Sequence, residues 1–182
     1  MTYLASALQK LPLSRRWQLA RNLLQRAQFA DDRVLPTMIW YGIEPAVPED
    51  PAAALTCIRN SRMPKVSRYV ARRLAYDLES DSETVSRLLS IAVKASGEQR
   101  RAILSGLSQA LDGLLKAEVP AGWERSRVAL LEIDDPQTRK LVERTAVVFS
   151  GGRDLGELRR IAGNGGVDSA TRNRAIRTLA AS

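Results

Sequence analysis

Apolar residues spaced three and four apart, in segments broken by proline, glycine or aspartate, restrict this chain to a helical fold. The clearest segment covers residues 98–118, where the apolar positions are Ile103, Leu104, Leu107, Ala110, Leu111, Leu114 and Leu115. On a helix of about 3.6 residues per turn these positions form one face. No segment alternates apolar and polar residues over the length of a strand between turn signals. The sequence therefore predicts an all-α chain of about eleven helices.

Helix start signals and short turns suggest how these helices are arranged. Asp50-Pro51, Asp135-Pro136 and Asp168 each offer a capping carboxylate at a helix start, and Asp81 or Ser82 offers the cap of another helix. Short turns make consecutive helices antiparallel neighbours, and helix pairs of roughly 35–40 residues are typical of a HEAT-like α-solenoid. We therefore expect residues 1–182 to form a single HEAT-like helical repeat domain, excised from a longer protein. A compact irregular bundle is the alternative.

The charge distribution favours solvated helix faces over a polyanion groove. The net charge is +8 and the pI is about 10.2, which allows an anionic partner. Basic residues never run longer than two, in the pairs Arg15-Arg16, Arg72-Arg73, Arg100-Arg101 and Arg159-Arg160. All four pairs fall in predicted helices that are mixed with acids, a pattern typical of local ion pairs. The pattern argues against nucleic acid as the partner.

No group of residues in the sequence suggests catalysis. The chain has no His, which removes the commonest general base and metal ligand, and its single Cys57 falls on an apolar helix face. The glycine-rich segments at residues 150–153 and 163–166 follow helices, so they read as helix ends and not as phosphate loops. We expect no enzymatic activity, metal or cofactor in this chain. No apolar run reaches the roughly 18 residues of a membrane span, and the first residues read as a helix and not as a signal peptide.

Residues 35–74 hold the candidate interaction residues, which are Trp40, Tyr41, Glu44, Arg72 and Arg73. Trp40 and Glu44 are four apart and share a helix face, which predicts a half-buried carboxylate. A buried carboxylate needs a cation, so Glu44 is expected to pair with Arg72 or Arg73 as a structural link. A ligand or anion site is the alternative interpretation.

The same stretch carries a family resemblance. The matching residues are 4–12 (Leu-Ala-Ser-Ala-Leu-Gln-Lys-Leu-Pro), Arg16-Trp17, Asp31-Asp32, the run Ile39-Trp40-Tyr41-Gly42-Ile43-Glu44-Pro45, residues 68–74 (Arg-Tyr-Val-Ala-Arg-Arg-Leu) and Pro120-Ala-Gly-Trp123. They resemble the HEAT-like segment of large multidomain proteins of planctomycetes. In those proteins a sugar-dehydrogenase-like propeller precedes the segment, and a c-type haem domain follows it. The resemblance implies a linking module in an exported parent protein, with the haem outside this chain.

Two functions remain open at this point. The first is a non-catalytic scaffold that holds flanking domains or another protein on its concave face. The second is a HEAT-like nucleic-acid-binding domain of the alkylated-base glycosylase type, which the net charge and the excess of Arg over Lys would favour.

Overall fold

The computed structural model describes residues 2–114, 116–150, 153–166 and 169–180, and every regular element in these ranges is helical. The α-helices are α1 (Thr2–Leu8), α2 (Leu13–Leu24), α3 (Leu35–Ile43), α4 (Pro51–Asn60), α5 (Pro64–Tyr76), α6 (Ser82–Lys94), α7 (Gly97–Ala110), α8 (Trp123–Leu131), α9 (Pro136–Phe149), α10 (Arg153–Gly163) and α11 (Ser169–Ala180). Two short 3-10 turns cover Ala27–Phe29 and Glu44–Ala46. The all-α prediction is confirmed.

Aspartate side chains cap α4, α6 and α9, as predicted. Asp50 accepts the backbone N–H of Ala53 at 2.9 Å, Asp81 that of Thr84 at 3.1 Å, and Asp135 that of Gln137 at 3.1 Å. Each carboxylate satisfies a backbone donor that the helix leaves free, and it lies at the positive end of the helix dipole. The predicted cap at Asp168 lies outside the described residues.

Because of these caps, the stability of the fold depends on pH in the acid range. The hydroxyl of Thr138 and the side chain of Arg101 stabilise the Asp135 carboxylate and lower its pKa to about 2, and the Thr84 hydroxyl lowers the pKa of Asp81. The unfolded chain has an Asp pKa of about 3.9, so the folded state binds fewer protons. We expect the stabilisation to be complete above about pH 4 and to be lost as the pH falls towards 2. Melting temperatures across this range should fall less steeply for Asp135→Ala than for the native chain; equal slopes would contradict the assignment.

The long helix predicted over residues 98–118 is shorter than expected. α7 ends at Ala110, and Gly113 follows with a φ of +83°. This left-handed conformation, which suits glycine, redirects the chain. Leu114 is 48% exposed and is not part of the buried stripe, whereas Leu115 lies outside the described residues. The prediction was wrong beyond Ala110.

The helices contact one another in two rows. The odd-numbered helices α1, α3, α5, α7 and α9 touch in succession, and so do the even-numbered helices α2, α4, α6 and α8. In the described part of the chain, α10 and α11 pack on each other, and α10 also meets α9. The largest fully buried side chains come from both rows, namely Leu8, Leu35, Ile39, Ile43, Ile58, Met63, Leu88, Leu89, Ile103, Leu104, Leu107 and Leu130. Burying each such side chain stabilises the fold by about 1.5–3 kcal/mol.

Among the described helices, α5 and α7 share the most extensive contact, and Gly106 allows their backbones to approach each other. A Cβ at Gly106 would lie 2.2 Å from the carbonyl oxygen of Arg68 and 2.9 Å from the backbone nitrogen of Arg72. The buried Gln99 fixes the same pair, since its Nε2 donates to the Ile58 carbonyl and to the Ser67 hydroxyl, both at 2.8 Å. The backbone that carries Arg68 and Arg72 is therefore held directly against α7.

Candidate interaction surface

The two aromatic residues at the end of α3 have different environments. Trp40 is only 5% exposed, and its ring centroid lies 5.6 Å from that of Tyr69 on α5. Tyr41 is 57% exposed. Trp40 therefore belongs to the core, where it supports Tyr69, and Tyr41 belongs to the surface.

Glu44 does not form the predicted ion pair, and that prediction was wrong. Its side chain is exposed, and none of the ion pairs between described residues includes it. α3 ends at Ile43, and Glu44 opens the following 3-10 turn. The core beneath this turn is filled by Ile43, Ala46 and Val47, each at most 1% exposed. The carboxylate stays in water, where it avoids the desolvation that burial would impose.

We expect Glu44→Gln to change the free energy of unfolding by less than about 0.5 kcal/mol, because an exposed and unpaired carboxylate supports nothing else in the fold. Asp135→Ala is the contrasting variant, since it removes a helix cap and an ion pair with Arg101 at 2.9 Å. Thermal unfolding followed by circular dichroism should show a clearly lower melting temperature for Asp135→Ala and no such decrease for Glu44→Gln. A drop of several degrees for Glu44→Gln would restore a structural role for Glu44.

In several of the arginine pairs, at least one arginine holds other parts of the fold through hydrogen bonds or an ion pair. Arg16 donates to the carbonyls of Leu11 and Gly42 at 2.9 and 2.8 Å. Arg73 pairs with Asp77 at 2.8 Å, and Arg101 pairs with Asp135. The expectation of local ion pairs is therefore confirmed at Arg73, whereas the partner of Arg101 lies far along the chain, at the start of α9.

Unlike these arginines, Arg72 contacts aromatic rings, and it belongs to a stripe of residues along α5. The stripe contains Lys65, Arg68, Tyr69, Arg72 and Tyr76, which are spaced to share one helix face and are all at least partly exposed. The guanidinium carbon of Arg68 lies 5.2 Å from the Tyr69 ring centroid, and that of Arg72 lies 5.9 Å from the Tyr69 and the Tyr76 centroids. These are cation–π distances.

Neither Arg68 nor Arg72 pairs with a carboxylate in the part of the chain that the structure describes. The Nε atom of Arg68 is buried and has no hydrogen-bond partner there. Two cations four residues apart on one helix repel each other, and the tyrosine rings supply the only neighbouring attraction that the described contacts provide. The two guanidinium groups therefore have hydrogen-bonding capacity left for a ligand.

A groove of about 840 Å³ runs beside this stripe, between the turn before α3 and the helices α5, α7 and α9. Its charged and amide lining consists of Asp31, Asp32, Arg33, Lys65, Arg68, Glu98, Arg101 and Gln137. The carboxylate of Asp32 is occupied by the backbone N–H groups of Leu35 and Val34, at 2.7 and 2.8 Å, and these bonds lower its pKa. Arg101 is held by Asp135, so the cations in the groove without a carboxylate partner among the described residues are Arg33, Lys65 and Arg68.

Cys57 is 2% exposed, which confirms the prediction that it is a buried small side chain. Burial raises the pKa of its thiol to about 11, so the thiolate that acts as a nucleophile is scarce at neutral pH. Among the described residues, no group of three or more His, Cys, Asp or Glu side chains is placed to hold a metal ion. No helix in those ranges combines the length and apolarity that crossing a membrane requires.

The sequence-based site residues are thus only partly brought together. Trp40 and Arg72 both contact Tyr69, whereas Glu44 and Arg73 take no part in this cluster. The cationic residues Lys65, Arg68 and Arg101 were missed, although the three- and four-residue spacing of Lys65, Arg68, Arg72 and Tyr76 is present in the sequence. Comparisons of the chain with protein-family models, with curated proteins and with solved structures found no significant match.

Proposed function

We propose that this chain is a HEAT-like α-solenoid of antiparallel helix pairs that acts as a binding scaffold and not as an enzyme. The observation that carries the proposal is the groove along α5 and α7, in which several cations lack a carboxylate partner within the described ranges. Side chains of this kind recognise a charged partner by hydrogen bonds and need no chemistry to do so.

The packing of the rows supports a concave surface on the side of α1, α3, α5, α7 and α9, which we call the odd-helix face. Apart from α3 and α5, neighbours in the odd-numbered row share more extensive contacts than neighbours in the even-numbered row, most of all α5 and α7, which meet at Gly106. A two-row array that is tighter on one side curves towards that side, and helical solenoids bind partners on the concave surface. The groove lies on this odd-helix face, which is where a scaffold would hold its partner.

We also propose a context from the resemblance to the planctomycete proteins. The chain would link a dehydrogenase-like propeller to a c-type haem domain in an exported parent protein. The odd-helix face would then hold one of these flanking domains or a separate protein. The haem and its chemistry would belong to the parent, and this chain would contribute no cofactor ligand.

Site-specific photocrosslinking in the parent protein tests the scaffold proposal. A benzophenone amino acid replaces Tyr76 on α5 or, as the matched control, Val128 on α8; these residues are 57% and 53% exposed. We expect crosslinks from position 76 to map by mass spectrometry to one defined segment of a flanking domain or partner, and crosslinks from position 128 to map to none. Equal or scattered crosslinking from both positions would overturn the proposal.

Nucleic-acid binding is the second candidate, and one observation favours it. Tyr69 and Tyr76 alternate with Arg68 and Arg72 on one partly exposed face, and proteins that bind single strands combine cationic grooves with aromatic stacking. A gel shift at two salt concentrations tests it, because affinity for a phosphate backbone falls steeply as salt rises. No shift at low salt removes this candidate.

A further inference from the structure

We propose that the odd-helix face binds an acidic segment of a protein, with Arg68 and Arg72 as the two anchors that grip its carboxylates. The inference rests on the proposed scaffold function and names the chemistry of its partner. It starts from the two guanidinium groups that no described carboxylate neutralises.

The tyrosine rings hold these arginines in a binding-ready arrangement. Arg72 lies 5.9 Å from both Tyr69 and Tyr76, and Arg68 lies 5.2 Å from Tyr69. A guanidinium group that faces a ring still presents the N–H groups of its edge, and that planar fork matches a carboxylate. Trp40 is buried against Tyr69, and Gly106 holds the backbone of both arginines against α7, so the ring and the helix that carry the two guanidinium groups are already in place before binding.

The groove next to the anchors distinguishes a protein from a nucleic acid. Glu98 and Asp31 line it together with Arg33 and Lys65, and neither acid is joined to a cation by an ion pair among the described residues. A phosphate backbone carries only negative charge and has no hydrogen-bond donor to offer to either carboxylate, so both would repel it. A peptide can place carboxylates at Arg68 and Arg72 and offer backbone N–H groups or a basic side chain to Glu98. Mixed charge in the groove thus favours a protein partner.

Fluorescence anisotropy with defined probes tests the inference. The probe is a labelled peptide of about twelve alternating Glu and Ala residues, enough to cover the roughly 16 Å from position 65 to position 76 of α5. The comparison probes are the matched Gln–Ala peptide and a labelled oligo-dT of similar length. We expect binding of the Glu–Ala peptide alone, with an affinity that falls as salt rises.

Two double variants assign the binding to the anchors. Arg68→Gln/Arg72→Gln should weaken peptide binding by about tenfold or more, since two charge-assisted contacts are lost. The matched control is Arg87→Gln/Arg127→Gln, which removes the same charge from α6 and α8, where the arginines pair with Glu83 and Glu124 on the exposed surface. It should change affinity by less than about twofold. Arg68→Lys/Arg72→Lys keeps the charge, loses the planar fork and should also weaken binding.

Three outcomes would overturn the inference: no binding of the Glu–Ala peptide, equal losses in the anchor and control variants, or tighter binding of oligo-dT than of the peptide. Circular dichroism of each variant distinguishes loss of folding from loss of binding. If the glutamine variant unfolds, the lysine variant tests the role of the two anchors in its place. Crosslinks that map to a non-acidic segment from position 76 would leave the scaffold proposal standing while this inference fails. Scattered crosslinks would contradict the scaffold proposal as well.

Discussion

Gly106→Ala is expected to lower the free energy of unfolding by about 2 kcal/mol or more, which for a chain of this length is roughly 4–8 °C in melting temperature. The added Cβ would lie 2.2 Å from the Arg68 carbonyl oxygen and 2.9 Å from the Ala71 Cβ and the Arg72 nitrogen. Two of these three atoms are backbone, so no side-chain rotation relieves the clash and α5 must move away from α7. Ala gains roughly 1 kcal/mol over Gly in helix propensity, which is less than the overpacking removes.

Gly97→Ala is the matched control for this prediction. Gly97 is the first residue of the same helix, and a Cβ there would meet only the tip of the Arg101 side chain, at 3.4 Å. The same substitution should therefore be neutral or slightly stabilising. Chemical denaturation of both variants gives the comparison, and an unchanged or raised stability for Gly106→Ala would show that α5 and α7 do not meet at this residue.

The prediction also connects stability to binding. Gly106 lies against the backbone of Arg68 and Arg72, so moving α5 displaces both anchors relative to the groove. The acidic peptide should bind Gly106→Ala more weakly than Gly97→Ala, even at temperatures where both variants are folded.

The helices and their caps were predictable because their causes are local. The carboxylates of Asp50, Asp81 and Asp135 bond to N–H groups two or three residues along the chain, so the sequence contains both partners. The all-α class followed from the spacing of apolar residues for the same reason.

The candidate site was only partly predictable because it depends on which helices meet. Glu44 was placed inward from its four-residue distance to Trp40, but Ile43, Ala46 and Val47 fill the core at that end, and only the packed chain reveals this. The stripe from Lys65 to Tyr76 is visible in the sequence, whereas the groove beside it also needs α7 and α9. The packing role of Gly106 was not predictable either, because the sequence shows only a glycine of low helix propensity within a helix.

Trp123→Ala should cause the other large loss of stability, about 3–5 kcal/mol, which corresponds to a melting temperature roughly 6–20 °C lower. Trp123 begins α8, is 2% exposed and meets Phe149 at the end of α9, with ring centroids 4.8 Å apart and nearly perpendicular planes. Removing the indole leaves a cavity and also takes away the edge-to-face contact.

Variants around Trp123 separate the ring contact from burial alone. Val128→Ala, on the exposed side of the same helix, is the control and should cost less than about 0.5 kcal/mol. In a double-mutant cycle, Trp123→Leu and Phe149→Leu should show a coupling of about 0.5–1.5 kcal/mol, because either change alone already removes the aromatic pair. A coupling near zero would mean that the two rings are buried independently. Peptide binding at α5 should be unaffected in folded Trp123→Leu, since Trp123 and Phe149 do not line the groove.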